Sequence, residues 1–325
     1  MVRSSRFLPS PAVRTWLLRI LTVAVLAVFI YQFQKVAGQI DWPHFWRSLT
    51  RPGNWRYLAL VAVLMPVNWL LETRKWQLLL RAFLDWPFAK VFRATLAGVS
   101  VSAATPNRIG EIGGRMLLAH REEWPAVVAS SILGSLCQWV AFLLLAWPAL
   151  VITVGRLPQI DIGVSYGWFL PIGPLLLLVA AIGGKPLLLR VVDWSEGRFV
   201  RDATTLRESL TKVKLSLMSR SSIYATLRFV VYCVQLYVLL RFFGLALPFL
   251  GGMAGIMAIY LVQAGIPLPP GLNLVTRTEL GLLLWSVGPE GSIAVLAAYT
   301  ALFCVNVLLP AVPGYWLIVR KNYSR

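Results

Sequence analysis

The chain has 325 residues, of which 58% are hydrophobic and only 14% charged, with a mean hydropathy of +0.70. A soluble domain has about a quarter of its residues charged, so a soluble globular fold, a disordered chain and a disulfide scaffold are excluded. Lys and Arg outnumber Asp and Glu by 31 to 13, a net charge of +18. In so apolar a chain this reads as cytoplasmic loops and contact with anionic lipid heads, not as a nucleic-acid surface.

The expected fold class is therefore all-α, a polytopic membrane helical bundle of about six to eight spans forming a single integral membrane domain over residues 1–325. The first candidate span is Thr15–Phe33, whose apolar run Ile20 to Phe33 is preceded by Arg3, Arg6, Arg14 and Arg19. This imitates a signal peptide, but Val36-Ala37-Gly38 is a poor cleavage site, so an uncleaved signal anchor is expected. Further spans follow at Trp55–Leu71, Ala126–Val154, Val164–Ile182, Ser222–Phe243 and Ser292–Val319. Two other apolar stretches are interrupted. Phe88–Ala104 breaks at Thr105-Pro106, and Pro248–Ile266 breaks at Pro267-Leu-Pro-Pro-Gly271. Broken helices are stable in a bilayer only when buried in protein or lining a watery cavity.

Basic residues set the orientation. Lys185–Arg220 carries eight basic and four acidic residues, and the N-terminus carries four basic residues with no acid. Both are expected on the cytoplasmic side. Span two, the first broken stretch and the Ala126 span then form one unit (54–155), and their counterparts form a second (221–320) entered from the opposite face. Such an inverted repeat with two re-entrant helices is the layout many transporters use to build a site near the bilayer midplane. Between the units, 185–220 is expected to be a cytoplasmic amphipathic segment. There Phe199, Leu206, Leu210, Val213 and Leu217 recur at helical spacing, suiting a helix on the leaflet surface or one that caps the bundle.

The candidate site residues gather at the two breaks. In Thr105-Pro-Asn-Arg-Ile-Gly-Glu-Ile-Gly-Gly-Arg115, Thr105 suits an N-cap and Pro106 a first helical turn. Asn107 and Arg108 would then stand at the positive end of a helix, an anion site. Arg108, Glu111 and Arg115 share one face by their spacing, and Gly110, Gly113 and Gly114 permit close approach of a neighbour. Ordinary pairs at an exposed helix start would give the same pattern. At the second break, Asn273, Arg277 and Glu279 follow the prolines, and Thr276-Arg-Thr-Glu279 also fits a capping box. Within the spans, Arg228, Tyr232 and Gln235 form one stripe and Ser131, Ser135 and Gln138 another. Arg228 alternatively snorkels to the cytoplasmic face, and the Ser/Gln stripe suits interhelical hydrogen bonding. Asn68 and Glu72 close span two, and Asn306 lies near Pro310 and Pro313.

Motifs for chemistry are sparse. Gly183-Gly-Lys185 lacks the rest of a phosphate loop, and neither a serine nucleophile elbow nor a zinc-protease motif occurs. Cys137, Cys233 and Cys304 lie in apolar runs, and His44 and His120 have no ligand neighbours in sequence, so no metal or other cofactor is expected.

The run Thr105 to Glu111 with the following Gly and Arg115, together with the span order and the second Pro/Gly break, resembles the lysylphosphatidylglycerol synthase transmembrane-region family, also called flippase-like domain proteins. The resemblance implies a bacterial-type cytoplasmic (inner) membrane protein that handles charged lipids, with anionic or aminoacylated phospholipids or another lipid-linked molecule as partner. In the best-known members a separate soluble domain makes the aminoacylated lipid. This chain ends at Arg325, so that synthase activity is not expected here. By resemblance, Arg108, Glu111 and Arg115 belong to the first re-entrant element and Arg277 and Glu279 to the second. The leading expectation is a lipid translocase: Arg108 and Arg277 bind a phosphate, while Glu111 and Glu279 balance charge or bind a cationic group or proton. The alternatives are an embedded lipid transferase with Glu111 as base, and a non-catalytic partner of a lipid-modifying enzyme. A homo-oligomer is compatible with all three.

Overall fold

The computed structural model describes residues 42–103, 105, 109–157, 165–195, 207–208, 210–211, 213–266, 270–285 and 288–323. The candidate span Thr15–Phe33 and the residues Asn107 and Arg108 lie outside the described residues. All regular structure among the described residues is helical. Three helical segments are long and apolar enough to cross a membrane: Arg121–Val154, Leu215–Phe242 and Gly291–Arg320.

A short helix α1 (Trp42–Thr50) leads into α2 (Trp55–Leu80). The hydropathy of span two ends near Leu71, yet α2 runs on to Leu80 and buries Glu72 and Lys75. The helix continues because those charges neutralise each other inside the protein, so apolarity alone misplaces its end. Next come α3 (Phe88–Ser102) and α4 (Ile109–Leu117). At a rise of about 1.5 Å per residue these measure about 22 and 13 Å, each short of the roughly 30 Å bilayer core. They form an antiparallel hairpin. A side chain at Gly114 would place its Cβ 2.3 Å from the Ala97 carbonyl oxygen and 2.6 Å from Gly98 Cα, so only glycine lets the two helices meet.

The first unit closes with α5 (Trp124–Ala141), a π-helical turn at Phe142–Ala146, and α6 (Trp147–Val154). Glu123 pins the entrance of α5 to the start of α3. Its carboxylate accepts from the Trp86 indole at 2.8 Å, the Lys90 ammonium at 3.2 Å and the His120 amide at 2.8 Å.

After the turn at Tyr166–Phe169, α7 (Ile172–Ser195) runs past Ile182 and through Pro186. Its last turns therefore lie inside the stretch read from sequence as a cytoplasmic segment. Of that segment, residues 199–206 are outside the described residues. Leu210 is buried with Leu79, Leu133, Cys137 and Val192, so this part packs on the bundle. Leu217 already belongs to α8 (Leu215–Phe242), which starts seven residues before Ser222. Gly244, at φ 97°, ends α8. The Leu245 amide donates to the Leu240 carbonyl at 2.9 Å and the Gly244 amide to Arg241 at 3.1 Å, a Schellman cap.

The rest of the chain repeats the order of the first unit. A second hairpin, α9 (Phe249–Ala264) and α10 (Pro270–Trp285), precedes α11 (Pro289–Phe303), a π-helical turn at Cys304–Leu308, and α12 (Leu309–Tyr323). Each hairpin starts just after a proline, Pro87 or Pro248, in extended backbone. The helices α2 and α8 form the most extensive helix contact among the described residues, and they run antiparallel. Asn54 pairs with the Phe242 carbonyl, Gln235 with Val61, and Arg228 with Glu72, in descending order along α8. Across the units, α3 packs on α12 and α9 packs on α6.

Candidate functional site

A cavity of about 450 Å³ lies between the two runs of helices. Both hairpin tips reach it: Ser102 and Thr105 from the first, and Gln263, Ala264, Asn273, Leu274 and Arg277 from the second. Its other walls include Asn68 and Trp69 on α2, Ser135 and Gln138 on α5, Arg228 and Tyr232 on α8, and Tyr299 on α11. Both π-helical turns contribute as well, through Phe142 and through Asn306 with Val307.

Arg277 is held by its own hairpin. Its Nε donates to Gln263 Oε1 at 2.7 Å, Nη2 donates to the same oxygen, and Gln263 in turn donates to Asn273 Oδ1 at 2.7 Å. The guanidinium lies 4.9 Å from the centre of the Tyr260 ring. Arg228 stacks 5.4 Å over Trp69 and lies 3.4 Å from Glu72. It points into the protein and lines the cavity, not toward a leaflet surface. No Asp or Glu is among the described residues of the lining, which include the two guanidiniums of Arg228 and Arg277.

Beside it, behind α2, lies a second charged group. Glu72 accepts from Arg115 at 3.0 Å and pairs with Lys75 at 2.7 Å. Arg115 also binds Glu111 at 2.5 Å and donates to Ser131 at 3.1 Å, with its guanidinium 4.2 Å over Trp76. Glu72, Lys75 and Arg115 are 1–2% exposed, so their charges are compensated almost wholly within the protein, as buried charges must be. Glu72, shared by Arg115 and Arg228, joins this cluster to the cavity.

The structure thus separates the residues singled out in the sequence. Glu111 and Arg115 pair with each other but are not among the cavity lining, whereas Arg228 and Arg277 face the cavity. Glu279 is exposed on α10. The Thr105 hydroxyl donates back to the Val101 carbonyl at 3.0 Å, while residues 106–108, whose amides an N-cap at Thr105 would bind, lie outside the described residues. The capping box at Thr276 is not formed. The helix α10 starts at Pro270, a residue suited to a first turn, so Thr276 and Glu279 are interior. In the Ser/Gln stripe, Ser131 bonds Arg115 while Ser135 and Gln138 line the cavity. Of the glycines in the first motif, Gly110 and Gly114 abut α3, and Gly113 meets open space.

Sequence reasoning gave no role to Lys75, Gln263, Tyr260 or Tyr299. A Gln four residues ahead of the break at Pro267 was a usable signal. The two tyrosines had none, since aromatic residues abound in apolar helices.

A buried relay of amides ties the halves together at the cavity. Gln235 donates to the Val61 carbonyl at 3.2 Å, Asn306 donates to Gln235 at 3.1 Å, and Asn68 donates to Asn306 at 2.8 Å. All three are within 1% of full burial.

The family model for the lysylphosphatidylglycerol synthase transmembrane region matches residues 16–275, which takes in α1 to α9 and the first turns of α10, ending two residues before Arg277. The chain belongs to this family. It is accordingly a membrane-embedded protein, of a family related to lipid modification. A comparison with curated proteins finds no match.

Proposed function

We propose that this member of the family is a lipid translocase of a bacterial-type cytoplasmic membrane, moving a charged lipid headgroup through the cavity between two inverted units, 54–155 and 221–320, with the N-terminus on the cytoplasmic side. One observation carries the reading: a partly open cavity of mixed polar and apolar lining, met by two hairpins too short to cross a bilayer, holds Arg228 and Arg277 with no carboxylate on its described lining. The Arg277 guanidinium, held by a neutral amide with no carboxylate partner among the described residues, favours an anion there. The antiparallel pairing of α2 with α8, and the same element order in both runs, support the inverted arrangement. Rocking one unit on the other would expose the cavity to either leaflet in turn. In this reading Glu72 balances Arg228 while the cavity is empty, and headgroup phosphate takes over part of that role when it is full.

The transferase alternative needs a carboxylate at the reacting centre. Glu111 is engaged by Arg115 outside the cavity lining, which disfavours it as the base.

Reconstitution tests the proposal. The purified chain is placed in liposomes with acyl-labelled anionic, zwitterionic and aminoacylated lipids, and an outer-leaflet quencher reports the protected fraction. Protein-dependent loss of protection for anionic lipid, abolished in Arg277→Ala, is the expected result. Undiminished movement by a folded Arg277→Ala protein would sink the assignment. Failure of the folded wild type to move any lipid would favour the role of partner to a lipid-modifying enzyme.

A further inference from the structure

Of the described residues that line the cavity, Trp139 alone is exposed, at 42%. It stands at a seam on α5. Ser135 and Gln138, with Phe142 just beyond the helix, form the cavity side, while Leu133, Gly134, Cys137 and Ala141 are buried in the bundle. Ile132 and Leu136 form an exposed stripe that Trp139 continues at helical spacing. The segment Arg121–Val154 is long and apolar enough to cross a membrane, and Trp139 lies near its middle. At that depth the exposed stripe meets hydrocarbon, not water. Tryptophans that anchor a span gather at the two membrane–water interfaces, so an exposed indole at mid-depth is not an anchor of that kind.

From this edge a line of rings leads inward. Trp139 packs edge-on against Phe142 at 5.6 Å between ring centres, Phe142 against Phe229 at 5.1 Å, and Phe229 against Tyr260 at 6.3 Å. All four rings line the cavity. The Arg277 guanidinium lies 4.9 Å from the centre of the Tyr260 ring. The line therefore begins at an apolar edge that faces lipid and ends beneath a cation. A small soluble anion has no use for the apolar part, whereas an amphiphile matches both ends.

We infer that Trp139 marks a lateral portal, where a lipid keeps its acyl chains in the bilayer while its anionic headgroup reaches Arg277. This rests on the reading of the cavity as a headgroup site. The glycerol backbone and the first methylenes of the chains lie along the rings of Trp139, Phe142 and Phe229, and the rest of the chains run out over Ile132 and Leu136. Leaving the chains in hydrocarbon avoids the cost of exposing their methylenes to water.

Photolabelling of the full chain in liposomes tests the portal. Phosphatidylglycerol with a diazirine near the glycerol end of one acyl chain is compared with phosphatidylcholine carrying the same label, and adducts are mapped by mass spectrometry. Either lipid should label the exposed flank of α7 at Leu175, Leu178 and Val179, which sets the baseline. Relative to it, adducts on residues 136–142 should be more abundant for the anionic lipid, and should fall to the zwitterionic level in Arg277→Ala. Equal labelling by the two lipids, unchanged in Arg277→Ala, would overturn the portal. A second arm tests passage. Trp139→Cys reacted with a bulky lipid-soluble maleimide should lose lipid movement relative to the same variant unreacted, whereas Leu178→Cys treated alike should keep its rate. Cys137 and Cys233 are buried and Cys304 is partly buried, and treated wild type gives their contribution. Undiminished movement after complete modification of Trp139→Cys would also overturn the portal. If Trp139→Cys fails to fold, labelling of the wild type decides. Anion-specific, Arg277-dependent adducts without movement of any lipid would remove the translocase reading and keep the portal as the entrance to a lipid-binding site.

Discussion

Two arginine sites lie side by side in this molecule, and their surroundings divide their labour. Arg115 sits in the Glu72–Lys75–Glu111 cluster, with carboxylates on both sides and an indole face below. Arg277 has an amide oxygen and phenol rings around it, and no described carboxylate in contact. A guanidinium already matched by carboxylates has little affinity left for a ligand, whereas one supported only by neutral dipoles keeps its field. Two arginines that follow similar Pro/Gly breaks thus take different work, the first holding helices together and the second facing the cavity.

The comparison can be broken most sharply by removing each cation in turn. Arg115→Leu leaves Glu72 and Glu111 short of a buried partner and should cost about 3–5 kcal/mol of stability. A melting temperature equal to wild type would show that the cluster is not what holds α4 to α2. Arg277→Leu should spare the fold to within about 1 kcal/mol, since it loses hydrogen bonds to a neutral amide. The same change should weaken binding of an anionic headgroup by about 100-fold, the scale of losing a charged contact in a desolvated site, as read by titration of the detergent-solubilised protein.

Smaller effects sharpen the picture within the first hairpin. Gly114→Ala should destabilise by roughly 1–3 kcal/mol through overpacking against α3. Gly113→Ala, facing open space, should be neutral or stabilise by up to about 1 kcal/mol. Thermal melts of the pair decide this, and equal effects would refute the close helix contact. The smallest expectation concerns Glu279. Its exposed carboxylate gives no reason for Glu279→Gln to change stability by more than about 0.5 kcal/mol, and the liposome rate should be unchanged. A large loss of transport there would restore the symmetric Arg/Glu scheme read from the sequence.

Much of this architecture was legible in the chain. Apolar runs, proline breaks and the order of elements pointed to a helical membrane bundle with two interrupted segments, because lipid permits few other backbones. The extent of α2 was not legible. A window of hydropathy sees Glu72 and Lys75 as the end of a span, whereas the two pair with each other and Glu72 also binds the distant Arg115 and Arg228. The start of α10 was obscured for a similar reason: Thr276 and Glu279 have the spacing of a cap, and local spacing does not reveal that the helix began at Pro270. The cavity was half visible. Arg228, Arg277 and Gln138 stood out as polar residues in apolar helices. Tyr260 and Tyr299 became informative only because their hydroxyls have no partner among the described residues, a property of packing that no single position announces.

The π-helical turns at Phe142–Ala146 and Cys304–Leu308 carry a last consequence. A π-turn closes its hydrogen bond one residue later than an α-turn, so each holds a spare residue beside the cavity. Deleting one residue within either stretch should be absorbed locally by reversion to α-helix, with the flanking helical faces kept in register. The same deletion a turn away would swing every later side chain by about 100° around the axis. Two of the three long spans described therefore contain a built-in slack link, and chain length can drift there, over generations, without unmaking the bundle.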